Sequence, residues 1–133
     1  MHADADGARV LDPEVIDELR ESLGAAAPGV IDVAASRFVV RSAERLEAAH
    51  DAAARGDAAM LARLAHQLIG GASQLGAERM TTLAAQLEDM VRKGTIDGAS
   101  SLVARLAEAF VETKAALQAL GISLEAAGVE ADE

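Results

Sequence analysis

The sequence contains no cysteine, no tryptophan and no tyrosine, and these absences narrow its chemistry. Without cysteine there is no disulfide, no thiol nucleophile and no Cys-ligated zinc or iron–sulfur centre. Two phenylalanines are the only aromatic residues, so the chain offers no platform on which successive nucleic-acid bases stack. Positive charge is scarce as well. Twelve Lys and Arg against 22 Asp and Glu leave a formal charge of −10, a field that repels nucleic acid and anionic lipid. No apolar run approaches the ~18 residues that a membrane-spanning helix needs. The opening Met1-His2-Ala3-Asp4-Ala5-Asp6 is acidic, where a secretory leader would be basic and then apolar. A cytoplasmic protein without nucleic-acid or membrane partners is the expectation.

What is present is a chain of 133 residues, 51% hydrophobic and 26% charged, which fits one globular domain with a core of useful size. Its two prolines, Pro13 and Pro28, lie in the first quarter, and the remainder is rich in Ala and Leu, so the expected class is all-α. Asp12-Pro13-Glu14 joins a capping acid to a proline at the first helical position, and predicts a short helix over 12–24 with Val15, Ile16, Leu19 and Leu23 on its apolar face. A long helix over 30–55 follows, with Val30, Val33, Ala34, Phe38, Leu46, Ala49 and Ala53 as its stripe. Asp57 is positioned to cap a third helix with Leu61, Leu64, Ala65, Leu68 and Ala72 inside, closing by Gly76. Met80, Leu83, Ala84, Leu87 and Val91 make a fourth, closed by Arg92-Lys93-Gly94. Asp97 is the expected cap of a fifth that runs through Val103, Leu106, Phe110 and Leu117. Short connections between long amphipathic helices favour an up-down-up-down antiparallel four-helix bundle, with the first helix as a cover. The expected domain is 10–121, between a flexible N-terminus at 1–9 and an acidic flexible tail at 122–133.

Of the three histidines, His2 falls in the N-terminal tail and His50 reads as a solvated surface residue. His66 differs. At about 100° per residue it points about 150° away from the buried stripe of the third helix, and its helical neighbours Ala62, Gly70 and Ser73 are all small. Glycine costs up to about 1 kcal/mol against alanine inside a helix, yet Gly70 and Gly71 are adjacent within this one. A histidine that must meet a reactive atom on another protein needs such clearance. A kink or a tight helix crossing explains the pair equally well.

The segment Ala65-His66-Gln67-Leu68-Ile69-Gly70-Gly71-Ala72-Ser73-Gln74-Leu75-Gly76 resembles the active-site segment of the histidine-containing phosphotransfer (HPt) domain family. His66, Leu68, Gly70, Gly71, Ala72 and Gly76 fit its pattern. The likeness extends over roughly 10–120, through Leu11-Asp12-Pro13, the helix of Phe38, Arg55-Gly56-Asp57, Leu87-Glu88 and Arg92-Lys93-Gly94.

The resemblance implies a monomeric bundle that shuttles a phosphoryl group between the aspartates of response-regulator receiver domains, or of the receiver domain of a hybrid histidine kinase. His66 is then the acceptor, at Nε2, and Glu88 takes the place of the residue that holds the other ring nitrogen. The protein would have no cofactor of its own, with Mg2+ and the acidic pocket on the receiver partner, and would be a carrier rather than an enzyme. Ile69 departs from the family's usual lysine. Arg63 and Arg92 are the candidates to supply charge in its place, while Ile69 and Ala62 add apolar surface for docking, beside Gly70 and Ser73. A rival expectation is a degenerate module of the same fold that binds a receiver without accepting phosphate. No Gly-rich nucleotide-binding segment is present to make the chain a kinase.

Overall fold

The structure is a computed structural model describing residues 8–126, all of whose regular elements are helical. They are α1 (Pro13–Leu23), a 3-10 turn (Gly24–Ala26), α2 (Ala27–Arg55), α3 (Ala58–Gln74), α4 (Glu78–Arg92) and α5 (Ala99–Ala119). The local signals explain most of these limits. Asp12 accepts the Glu14 N–H at 3.0 Å, with Pro13 opening α1, and Asp57 accepts the Met60 N–H at 3.1 Å. Each cap satisfies a donor that the first helical turn leaves over, worth roughly 1 kcal/mol. Gly56 closes α2 in the left-handed region with φ 70°.

Helices α2, α3, α4 and α5 pack in a ring, each against the next, with α5 returning to α2. Leu61, Leu68, Met80, Leu83, Leu87, Leu106 and Leu117 fill the centre, each no more than 1% exposed. Burying one such leucine contributes roughly 1.5–3 kcal/mol. The protein's two phenylalanines meet here: Phe38 of α2 and Phe110 of α5 stand edge to face with centroids 6.2 Å apart, an arrangement worth roughly 1 kcal/mol beyond burial. Alanines at Ala35, Ala49, Ala65, Ala72, Ala84 and Ala109 are fully buried. Their small side chains let the helices approach closely while keeping high helix propensity. Helix α1 packs on α2 and is tied to the α3–α4 turn, where the Asp12 N–H donates to the Gly76 carbonyl at 2.8 Å.

Several expectations are corrected. Helix α2 begins at Ala27 rather than after Gly29, because a proline in the first helical turn forfeits no intrahelical hydrogen bond. Its inward face is Ala27, Ile31, Ala35 and Phe38, whereas Val30 and Val33 are exposed at 48% and 36% and Ala34 also faces outward. Ala35 lies three residues before Phe38 and Ile31 seven before it, two turns back on the same face, so helical geometry overrides the greater bulk of the valines. Asp97 does not cap α5: Gly98 occupies that position with φ 89° and no side-chain cap is made. The packed chain also runs past 121. Ile122 is buried, the Ser123 N–H donates to Asp32 Oδ1 at 2.9 Å, and the Ala126 N–H donates to Ser36 Oγ at 2.9 Å. At the other end the Ala8 carbonyl accepts from Arg79 Nε at 3.0 Å and Nη2 at 2.8 Å, while Arg9 pairs with Glu78 at 2.8 Å. The expected flexibility of 1–7 and of 127–133 lies outside the described residues. Against the expectation that no apolar run approaches membrane-spanning length, an 18-residue window within Pro13–Arg55 reaches a mean hydropathy of 1.4 with no more than two charges. Within that stretch Ile31, Ala35 and Phe38 are buried against the bundle.

Candidate functional site

Helix α3 buries Leu61, Leu64, Ala65, Leu68 and Ala72, which forces the residues between them outward at 100° per step. His66 is one of these, with a side chain 73% exposed. Helix α4 buries Leu83, Ala84, Leu87 and Val91, and this places Glu88 at the edge of its inward stripe, facing α3. The two side chains meet: His66 Nδ1 lies 3.2 Å from Glu88 Oε2. Glu88 is only 17% exposed, so its carboxylate is held at the seam between the two helices.

The same oxygen has a second partner. Arg92, one turn further along α4, donates to Glu88 Oε2 from Nε at 3.0 Å and from Nη2 at 2.8 Å. A charge-assisted double contact fixes the carboxylate more firmly than a single neutral hydrogen bond. A carboxylate oxygen accepts, so this contact assigns the donor role to Nδ1–H and leaves Nε2 as the ring nitrogen with a lone pair. Nε2 makes no hydrogen bond to the described residues and faces outward on the exposed ring.

The remaining candidates surround this pair unevenly. Ala62 and Ile69 are half-buried and pack against the core, so only part of their apolar surface is available. Ser73 is exposed, and its hydroxyl donates to the Gly70 carbonyl at 3.3 Å. Arg63 is exposed, with no carboxylate within 4.0 Å among the described residues. Arg92, the other candidate for positive charge beside the histidine, has its guanidinium paired with Glu88. The i, i+4 spacing of Glu88 and Arg92 is the sequence signal that identifies this pairing.

The glycines behave differently from one another. A Cβ at Gly70 would meet nothing within 4 Å, and one at Gly71 would make ordinary contact with Phe38 Cδ1 at 3.6 Å. Helix α3 is continuous through both, and an alanine methyl group would fit at either position without a close contact. Gly76 has φ 77° and a Cβ there would stand 2.9 Å from the Asp12 carbonyl oxygen.

The Hpt domain family model matches residues 34–122, which contain the whole of this arrangement. Among solved structures, the chain is similar to the crystal structure of histidine-containing phosphotransfer protein B (HptB) from Pseudomonas aeruginosa PAO1, with 30% sequence identity and a TM-score of 0.75. That likeness covers 86% of this chain and 96% of the other. No curated protein sequence matches.

Proposed function

The chain belongs to the Hpt domain family, and from that premise we propose that it carries a phosphoryl group on His66 between receiver-domain aspartates in a phosphorelay. The scaffold in this reading is an up-down-up-down antiparallel bundle with α1 covering one end. The observation that carries the proposal is the exposed imidazole held through Nδ1 by a half-sequestered carboxylate at 3.2 Å.

The Nε2 lone pair attacks the phosphorus of an acyl phosphate on the receiver, forming a P–N bond as the P–O bond to the aspartate breaks. The aspartate departs as a carboxylate, and the Nδ1 proton stays in place. The ring is therefore cationic once it bears the phosphoryl group, and the Glu88 carboxylate stabilises that charge by Coulomb attraction at short range. In the return step an aspartate oxygen of the next receiver attacks phosphorus and neutral imidazole leaves. Arg92 acts through Glu88, holding its oxygen where Nδ1 can reach it. The receiver supplies Mg2+ and its acidic pocket, and this protein acts as a carrier in the cytoplasm, as a monomer.

Incubation with phosphorylated receiver domains tests the proposal. The native protein takes up acid-labile, alkali-stable label, and His66→Gln takes up none while its circular-dichroism spectrum stays helical. Labelling of the variant would overturn the assignment. A native protein that binds the receivers without taking up label would be the degenerate, binding-only module.

A further inference from the structure

Helices α2 and α3, with Leu19 of α1, enclose a groove of about 570 Å³ whose floor is formed by Phe38 and Leu75 and whose outer wall carries Arg37, Arg41 and Arg45. These arginines recur at every fourth residue of α2, so their Cα atoms follow one side of the helix at about 6 Å per step. None of the three lies within 4.0 Å of a carboxylate among the described residues, although acids outnumber bases by ten. Arg9, Arg55, Arg79, Arg92 and Lys93 do have acidic partners. Three adjacent guanidinium groups repel one another, and no ion pair among the described residues offsets that repulsion.

The groove is continuous with the His66 face. Gly71 and Gln74 of α3 line it, and a Cβ at Gly71 would lie 4.0 Å from Arg45 Nη1. Gly70, Gln67 and Arg63 are exposed on α3 between this flank and His66. The histidine thus has its paired carboxylate on the α4 side and, on the α2 side, a row of positive charge without an acidic partner among the described residues.

We propose that Arg37, Arg41 and Arg45 dock the acidic rim of the receiver domain that exchanges its phosphoryl group with His66, with an apolar side chain of that partner seated on Phe38 and Leu75. This inference rests on the phosphotransfer reading above. Charge complementarity selects the occupant. A site that holds an acyl phosphate and the cation it requires is rich in carboxylates, and a net charge of −10 opposes its approach everywhere except at a locally basic surface. Nucleic acid and lipid headgroups carry negative charge over surfaces far wider than this short row, and the rest of the molecule repels them. The row therefore steers the encounter and fixes its orientation, which places its effect in the association rate and in its salt dependence.

The test uses the full chain, a panel of receiver domains from the same organism phosphorylated with acetyl phosphate, and the triple variant Arg37→Gln/Arg41→Gln/Arg45→Gln. Glutamine keeps helix propensity. Phosphoramidate, a small donor that needs no docking, reports on His66 itself. Expected are equal labelling of both proteins by phosphoramidate, an at least tenfold lower bimolecular rate from the receiver in the variant, and an unchanged rate within the saturated complex. The native rate falls steeply between 50 and 300 mM salt, and that of the variant is nearly flat. A second variant with lysine at all three positions retains most of the rate and its salt dependence. Equal bimolecular rates with equal salt dependence would overturn the docking proposal and leave the phosphotransfer reading intact, whereas failure of the native protein to label with either donor would overturn that reading. Two other results would also overturn the proposal by naming a different occupant. One is a dimer of the native protein that the triple variant loses; the other is a rate increase, on removal of residues 127–133, that appears only when the arginines are present.

Discussion

A Cβ added at Gly76 would stand 2.9 Å from the Asp12 carbonyl oxygen and 2.9 Å from Val15 Cβ, on a backbone with φ 77°; a Cβ added at Gly70, earlier on the same stretch of chain, would meet nothing within 4 Å. Both glycines belong to the segment that carries the family likeness, yet the fold requires only Gly76. It turns the chain from α3 into α4 and lets α1 close over that turn through the Asp12 N–H to Gly76 carbonyl bond. Gly70 sits in continuous helix, where its lack of a side chain costs up to about 1 kcal/mol relative to alanine. The isolated molecule gains nothing visible in return. What Gly70 does gain is clearance one turn from an exposed imidazole, which matters only when a second molecule arrives.

The sharpest way to break this contrast is Gly76→Ala. A left-handed conformation costs an L-residue roughly 1–2 kcal/mol and displacing the Asp12 backbone adds to it, so stability should fall by about 3 kcal/mol in urea unfolding. A loss below about 1 kcal/mol would show that the turn relaxes around the new methyl group. Next in size is Gly70→Phe, which should slow phosphotransfer from a receiver at least tenfold, equivalent to about 1.4 kcal/mol, while the denaturation midpoint hardly moves. Equal transfer rates would mean that the clearance has no role in partner approach. The smallest effect is Gly71→Ala. Its methyl group would make ordinary contact with Phe38, and the gain in helix propensity should raise stability by roughly 0.5–1 kcal/mol. A destabilised variant would place Gly71 among the residues that the fold requires.

Much of the scaffold was legible because it is specified locally. Asp12-Pro13 and Asp57 cap helices through their own side chains, and the Leu and Ala stripes of α3 and α4 repeat at helical spacing with little competition. His66 was legible for the same reason, since the stripe that buries Leu68 and Ala72 leaves it facing outward. Where a local signal has two outlets, packing elsewhere in the fold chooses between them. Val30 and Val33 are apolar enough for a core, but the inward direction of α2 is set by Phe38, Leu46 and Ala49, and it points to Ile31 and Ala35 instead. Asp97 is a capable cap, but the left-handed turn at Gly98 takes that position. Residues 122–126 lack a periodic stripe, and they are held by the burial of Ile122 and by hydrogen bonds to Asp32 and Ser36 that no period announces.

The sequence by itself determined that the chain is helical, where α1 and α3 begin, and that one histidine stands outside the core, because propensity, capping and periodicity act over a few residues. Tertiary structure decided how closely Glu88 of α4 meets that histidine of α3, and that the α2 arginines line a groove between α2 and α3. Each of these depends on how far apart two helices lie and how they are rotated about their axes, and that is fixed by side chains interlocking across the whole core.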